Sequence, residues 1–248
     1  MNKIRAEFHT HTRFSQDSML NKFFMLFMLK LKKIKLIAIT DHNEIKGAIK
    51  YQKFFKKFNI DVIVGEEVMT DSGEIIGLFL NQKIEPLQTP EQTIKQIKAQ
   101  NGIVYLPHPY DQKRYKTVLK EEKQIKLKDK FDFIEIHNGR NVSENYSRIQ
   151  RNIQKNLGIT PIVGSDSHTF IELGRNYVEI EYTNIEDFRN NMKSIIGKSK
   201  FNKKKCIKFT HTVTKFARVI KMIEKGDLNE IYRIIFERRR NQNNWTIW

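Results

Sequence analysis

Cysteine is almost absent: Cys206 stands alone among 248 residues. One thiol excludes an intrachain disulfide framework and any zinc-finger cysteine cluster, and it points to a reducing, cytoplasmic setting. Long apolar runs are missing too. The most apolar stretch, Phe23 to Leu31, already contains Lys30, and it is far short of the ~20 residues that span a bilayer. It reads as a buried amphipathic helix, and no membrane insertion is expected. No small-residue cleavage site follows an apolar run, so no targeting segment is expected. Internal repeats and low-complexity tracts are absent. Acidic residues are in deficit, with 28 Asp and Glu against 45 Lys and Arg, a net charge of +17. The excess is uneven: Lys198 to Arg240 holds 14 basic and 4 acidic residues. Such a field attracts phosphate-bearing partners: small nucleotides, nucleic acid or an anionic membrane. A lysine-rich compositional habit would give the same total.

What is present is an ordinary globular balance, 39% apolar and 29% charged, in a chain long enough for one sizeable core. Apolar runs of strand length recur at Arg5–His9, Leu36–Thr40, Val62–Glu66, Ile75–Leu80, Ile103–Leu106, Phe131–Ile136, Pro161–Gly164 and Tyr177–Glu181. Helical periods fall between them, near 18–33, 44–57, 90–100, 143–157 and 186–195. Thr89, Pro90 and Gln92 form a strong helix start. The runs at 62–66 and 75–80 flank a short polar loop with Gly73 and read as a hairpin. Strand–helix alternation elsewhere predicts parallel sheet with crossover helices. The last ~50 residues look helical throughout. Val213, Phe216, Ile220 and Ile223 share one face; Leu228, Ile231 and Ile235 share another behind an Asp227 cap. A boundary near Gly197 is expected to separate residues 1–197 from a basic helical extension, 198–248.

Six of the seven histidines fall at or just after the C-terminal ends of strand candidates: His9, His11, His42, His108, His137 and His168. In α/β barrels these ends form the rim where sites are built. Glu66, Glu67 and Asp166 fall at the same level. Imidazole with carboxylate and no thiolate suits zinc, manganese or iron. His-x-His on an extended segment turns both rings to one side. One ion takes about three or four protein ligands. This larger set implies at least two metals with a bridging carboxylate, an arrangement suited to phosphoester hydrolysis.

The text around these residues resembles the PHP (polymerase and histidinol phosphatase) domain. The matching stretches are Phe8-His9-Thr10-His11-Thr12 with Ser15-Gln16-Asp17, Ile39-Thr40-Asp41-His42-Asn43, Gly65-Glu66-Glu67, Pro107-His108-Pro109, Ile134-Glu135-Ile136-His137-Asn138, and Gly164-Ser165-Asp166-Ser167-His168 with Leu173-Gly174. They stand in family order over about residues 4–180. The resemblance implies an α/β fold, the distorted (β/α)7 PHP barrel. It implies that His9, His11, Glu67 and Asp166 hold one metal. Glu67 would bridge to a second that His108 also binds, and Asp17, His42 and His168 would hold a third. Longer trinuclear members carry a further histidine between the bridging glutamate and the His-Pro motif. Residues 68–107 contain none. The second site is then short of a ligand, the count is two or three ions, and His137 is a candidate to compensate.

The expected activity is hydrolysis of a phosphomonoester, a nucleotide or a similar small molecule, by a metal-activated hydroxide. Glu67, Asp166 and His168 are the expected catalytic residues. Arg13, Arg140 and Arg175 are the candidates for binding substrate phosphate, since a guanidinium donates two parallel hydrogen bonds. A 5′–3′ exonuclease is the alternative, with the basic C-terminal helices holding single-stranded nucleic acid. A non-catalytic, metal-stabilised module is a third reading. His211 lies outside every motif and reads as structural or solvated.

Overall fold

The structure, a computed structural model, describes residues 2–114 and 116–224. Nine strands and seven helices follow the expected alternation among these residues. They are β1 (Asn2–Glu7), α1 (Lys22–Lys32), β2 (Ile34–Ile39), α2 (Lys46–Phe55), β3 (Asp61–Thr70), β4 (Gly73–Leu78), α3 (Pro90–Ala99), β5 (Ile103–Leu106) and α4 (Glu121–Lys126). The chain continues with β6 (Phe133–Asn138), α5 (Glu144–Leu157), β7 (Thr160–Gly164), β8 (Tyr177–Tyr182), α6 (Ile185–Gly197), β9 (Lys200–Asn202) and α7 (Phe209–Glu224).

The strands form one sheet in the order β7-β6-β5-β4-β3-β2-β1-β8-β9. Within β1 to β7 only β4 runs antiparallel to its neighbours. The sheet curls into a nearly closed barrel. Its seam is sealed at the C-terminal rim, past the ends of β1 and β7. There His11 N–H donates to Ser167 O at 2.9 Å, and Asp166 N–H donates to His9 O at 2.8 Å. The bonds that close the barrel therefore belong to the candidate ligands.

Alternation along each strand divides the core. On β2, Leu36 and Ala38 join an inner cluster with Phe8, Ile63, Tyr105 and Phe133. Ile37 and Ile39 join an outer cluster with Met25, Leu29, Tyr51 and Phe55 of α1 and α2. Parallel strands buried on both faces have to read as continuous apolar runs, which is why these runs stood out.

Helix ends follow local chemistry. Asn21 accepts from the N–H groups of Phe23 and Phe24, so α1 begins later than its apolar period suggested. Thr89 and Gln92 close a capping box on α3. The hairpin expected between 62–66 and 75–80 is present as β3–β4. Gly73 turns it with φ of 126°, and a Cβ there would lie 2.4 Å from the Leu119 backbone. Only glycine fits. Two elements escaped the sequence reading, α4 and the three-residue β9. Both are too short to carry a period.

Helix α7 departs from expectation in orientation. The apolar stripe Phe216, Ile220 and Ile223 is exposed. The covered side is Thr210, Thr214, Ala217 and Met222. The second C-terminal helix, with Asp227, Leu228, Ile231 and Ile235, lies outside the described residues.

Candidate metal centre

The rim is built by segments that leave strand ends and turn at once. His108 has φ of 25° and Asp166 has φ of 51°. Left-handed backbone at non-glycine residues is uncommon, and its cost is typical of sites the surrounding fold over-determines. Asp41 organises the first loop. It accepts from Thr12 N–H at 2.6 Å, Thr12 Oγ1 at 2.7 Å and Ser15 Oγ at 2.9 Å.

Glu67 is the hub. Its Oε2 lies 3.3 Å from His9 Nε2, 3.2 Å from His11 Nε2 and 3.2 Å from His42 Nδ1. Its Oε1 lies 3.0 Å from His108 Nε2. Asp166 Oδ1 is 3.7 Å from His9 Nε2 and 3.3 Å from His11 Nε2. Asp17 stands on the open side, 3.2 Å from His168 Nε2 and 3.8 Å from His42 Nε2. All eight metal ligands expected from the sequence therefore converge on one rim.

A second layer fixes the rings. Glu135 accepts from His9 Nδ1 at 3.1 Å, from His108 N–H at 2.7 Å and from the Tyr105 hydroxyl. Ser15 Oγ donates to Asp41, so the His11 Nδ1–H donates to Ser15 at 3.1 Å. Both histidines are thereby held with Nε2 free and turned inward.

Charge and burial compete here. Burial pulls the His11 pKa down, yet Asp166 and Glu67 overcome it and raise it to about 9. His108 reaches about 9 against burial and Arg114, through Glu67 and Glu74. Burial pushes Glu67 and Asp166 up, but the surrounding histidines, with Arg114 beside Asp166, hold both well below the usual carboxylate range. Among the buried atoms without a hydrogen-bond partner are His9 Nε2, His11 Nε2, Asp17 Oδ1 and Glu67 Oε2. Unpaired imidazole and carboxylate atoms ~3.0–3.5 Å apart are spaced as ligands around shared divalent ions, which offset the desolvation they otherwise suffer. The residues fit metals.

The sequence reading missed three groups. Glu74 opens β4, opposite Met69 in the hairpin register. That register puts it on the face of Glu67, since Glu67 and Met69 share one side of β3. Its Oε2 lies 3.3 Å from His108 Nε2, and its Oε1 lies 3.5 Å from His42 Nδ1. His42, Glu67 and Glu74 thus form a metal-competent group beside those of His9, His11 and Glu67 and of His11, His42 and His168. The lack of histidine over 68–107 was the available signal that something else must fill this place. Glu135 stood inside a quoted motif without a role. Arg114, outside every motif, donates to Asp166 Oδ2 and to Asp111 Oδ2.

His137 does not join the cluster. Its Nδ1 pairs with Ser147 Oγ at 2.8 Å, and its Nε2 with Lys204 O at 3.1 Å. Burial lowers its pKa, consistent with a neutral ring tying the approach to α7. Glu66 takes the Ile84 N–H instead of facing the rim.

A cavity of about 300 Å³ opens onto the cluster, lined on its cationic side by Arg114, Arg140 and Arg218. Arg140 is buried and donates to Thr214 Oγ1 of α7 at 2.9 Å. His211, read as structural or solvated, lines the same wall beside it. Arg13 and Arg175 do not line the cavity. Arg13 borders a neighbouring pocket, and Arg175 donates to the Lys205 carbonyl. Helix α7 thus forms part of the mouth; Lys221 anchors it by donating to the Arg13, Ser15 and Ser18 carbonyls.

An α/β barrel carrying histidines and carboxylates on its C-terminal rim defines a class of metal-binding enzyme folds. The chain belongs to the PHP domain family, whose match runs over residues 7–242. It is 42% identical over 117 residues to the uncharacterised protein MJ1587 of Methanocaldococcus jannaschii, covering 43% of this chain and 68% of that one. It is 30% identical over 190 residues to MJ0417 of the same organism, covering 74% and 73%. The fold is similar to PsfC from Pseudomonas syringae, with TM-score 0.61, 15% identity, and 92% and 100% of the two chains covered. It is also similar to a protein from Bifidobacterium adolescentis described as a candidate metal-dependent phosphoesterase. That likeness has TM-score 0.55 and 13% identity, with 66% and 87% covered.

Proposed function

We propose that this chain is a metal-dependent phosphoesterase acting on a small phosphomonoester, such as a nucleotide. The observation that carries this reading is Glu67, shared by overlapping ligand groups directly beneath an arginine-lined cavity. Two or three divalent ions, zinc, manganese or iron, would be held by His9, His11, Asp17, His42, Glu67, His108, Asp166 and His168. Glu74 joins this set. It would take the place left by the missing histidine, beside Glu67, His42 and His108. Ions held by these residues would supply Lewis acidity for attack on the ester.

The chain's own residues do the rest. Glu67 links the ligand groups through both carboxylate oxygens. Asp166 is held in place by Arg114, whose guanidinium covers its outer oxygen. Arg140 presents a fork to the cavity, backed by Glu172 at 3.9 Å and by Thr214. It suits the non-bridging oxygens of a phosphoryl group. His168, its pKa lowered by burial, faces Asp17 across the open side. We assign it, with Asp17, to holding an ion on the leaving-group side, where a water would protonate the leaving oxygen.

A small ester is favoured over a polymer because α7 narrows the mouth with His211 and Arg218. The deciding experiment incubates protein purified without chelator with nucleotides, histidinol phosphate and 5′-phosphorylated oligonucleotides, adding manganese, zinc or iron. Metal-dependent phosphate release from the small esters is the expected result. Mononucleotides released stepwise from the oligonucleotide would establish the exonuclease instead. Full turnover retained in both His9→Ala and Asp166→Ala would overturn the assignment.

A further inference from the structure

Helix α1 is solvent-facing on the wrong chemistry. Its buried side is Met25, Met28 and Leu29. A surface helix then normally shows polar residues outward. Here Phe23 is 65% exposed, Phe24 57%, Phe27 65% and Leu31 59%. Spacing of three and four places them on one outer stripe. The stripe extends towards the metal centre: Phe24 stacks on Phe170, with ring centroids 6.0 Å apart, and Phe170 follows His168 by two residues. An apolar patch of this kind on an otherwise polar surface marks a contact site.

Charge selects the partner. Residues 18–60 hold ten lysines and only two acids, Asp41 and Glu44. Asp41 is fully buried in the first loop. Neither α1 nor the adjoining α2 contains an acidic residue. The lysines rim the aromatic stripe. Lys22 Nζ lies 4.8 Å from the Phe54 ring centroid, and Lys30 Nζ lies 4.8 Å from that of Phe58. Aromatic and leucine side chains along one helix face, with lysines and no acids on α1 and α2 themselves, match the interfacial layer of an anionic bilayer. An ordinary protein-binding groove would carry charges of both signs at its rim.

We propose that the α1 face seats this protein on the surface of anionic phospholipid membranes. The rings of Phe23, Phe24 and Phe27 enter the headgroup–acyl boundary while the lysines contact lipid phosphates. This is peripheral attachment without a spanning segment, and no helix among the described residues is long and apolar enough to cross a bilayer. Phe170 would put the metal-centre mouth near the lipid surface. The inference rests on the surface of α1 and stands apart from the phosphoesterase reading.

The test is co-sedimentation of the full chain with phosphatidylcholine vesicles, with and without phosphatidylserine. Binding is expected only with phosphatidylserine, and weakened by about 0.5 M NaCl, where the Debye length is a few ångströms. Phe23→Ser/Phe27→Ser is expected to reduce the partition coefficient about tenfold or more, since each ring loses its interfacial burial. Lys30→Glu/Lys33→Glu should reduce it comparably. These side chains are exposed, so the variants are expected to melt like the parent, and thermal denaturation checks this. Absence of binding to phosphatidylserine vesicles overturns the proposal. So does binding that survives in the phenylalanine variant, which would place the contact elsewhere on the basic surface. If that variant only converts a dimer of the free protein to a monomer, the face joins copies of the chain and the proposal fails.

Discussion

On the proposed reading, Glu74 is the residue on which the metal count turns. Its carboxylate would stand in for the imidazole expected between Glu67 and the His-Pro motif. Glu74→Ala is expected to lower bound metal by about one ion per chain and to cut turnover roughly 10–100-fold, as loss of a ligand commonly does. Glu74→His should restore the metal. Metal analysis of the purified variants checks both. Glu7, two residues before His9 and itself no expected ligand, offers a second test. Burial raises its pKa from 4.5 to about 8, against a hydrogen bond from Gly174 N–H. The folded protein therefore holds a proton at Glu7 that the unfolded chain releases above about 4.5. The stabilising contribution is full below that value and is lost as pH rises through about 8. Glu7→Gln mimics the protonated form. It should leave the melting temperature nearly unchanged at acidic pH and raise stability on the order of 2 kcal/mol well above pH 8. The eight residues expected as ligands stood out because most follow strand ends in short motifs, although Glu67 lies within β3 and Asp17 sits in the loop after β1. Glu74, Glu135 and Arg114 did not, because their roles come from cross-strand register and loop packing rather than spacing.

At the scale of elements, the strands were legible because burial on both faces makes continuous apolar runs. Helix α3 was legible from its cap. Thr89→Ala removes the hydroxyl that accepts from Gln92 N–H and should cost about 1 kcal/mol, read as a fall of about 2–4 °C in melting temperature. Helix α7 shows where period misleads. Its apolar stripe was visible, but its small and polar face is the one turned inward. The barrel mouth is lined by buried guanidinium and carboxylate groups, and these require hydrogen-bond partners more than apolar area. Thr214 meets that need for Arg140. Thr214→Val is expected to raise KM for the phosphoester about 3–10-fold with kcat nearly intact, because it loosens a phosphate-binding fork and leaves the cluster alone. Steady-state kinetics separates the two parameters.

For the whole molecule, the proposed metal site and the fold share residues. The backbone bonds that close the barrel seam belong to His9, His11, Asp166 and Ser167, so ions held there would stabilise the closure itself. Chelation should lower the melting temperature by about 5–10 °C, the linkage expected of ligands held well above their dissociation constants. Re-addition of manganese or zinc should restore it. Gly164 sits at the same seam. A Cβ there would lie 2.0 Å from Glu135 Oε1 and 2.7 Å from His9 Cβ. Gly164→Ala should therefore destabilise the protein by about 3 kcal/mol or more, measurable by chemical denaturation.

The strand–helix alternation, the hairpin and the residue types that ring one end of the barrel are each written locally, in periodicity, turn chemistry and short motifs. Only the way distant segments meet places Glu74 on the same face as Glu67, sets Arg114 next to the cavity while leaving Arg13 and Arg175 off it, and turns the polar face of α7 to the mouth. Those choices depend on which distant segments meet, and on the cost of leaving a buried charge without a partner. No local pattern encodes either.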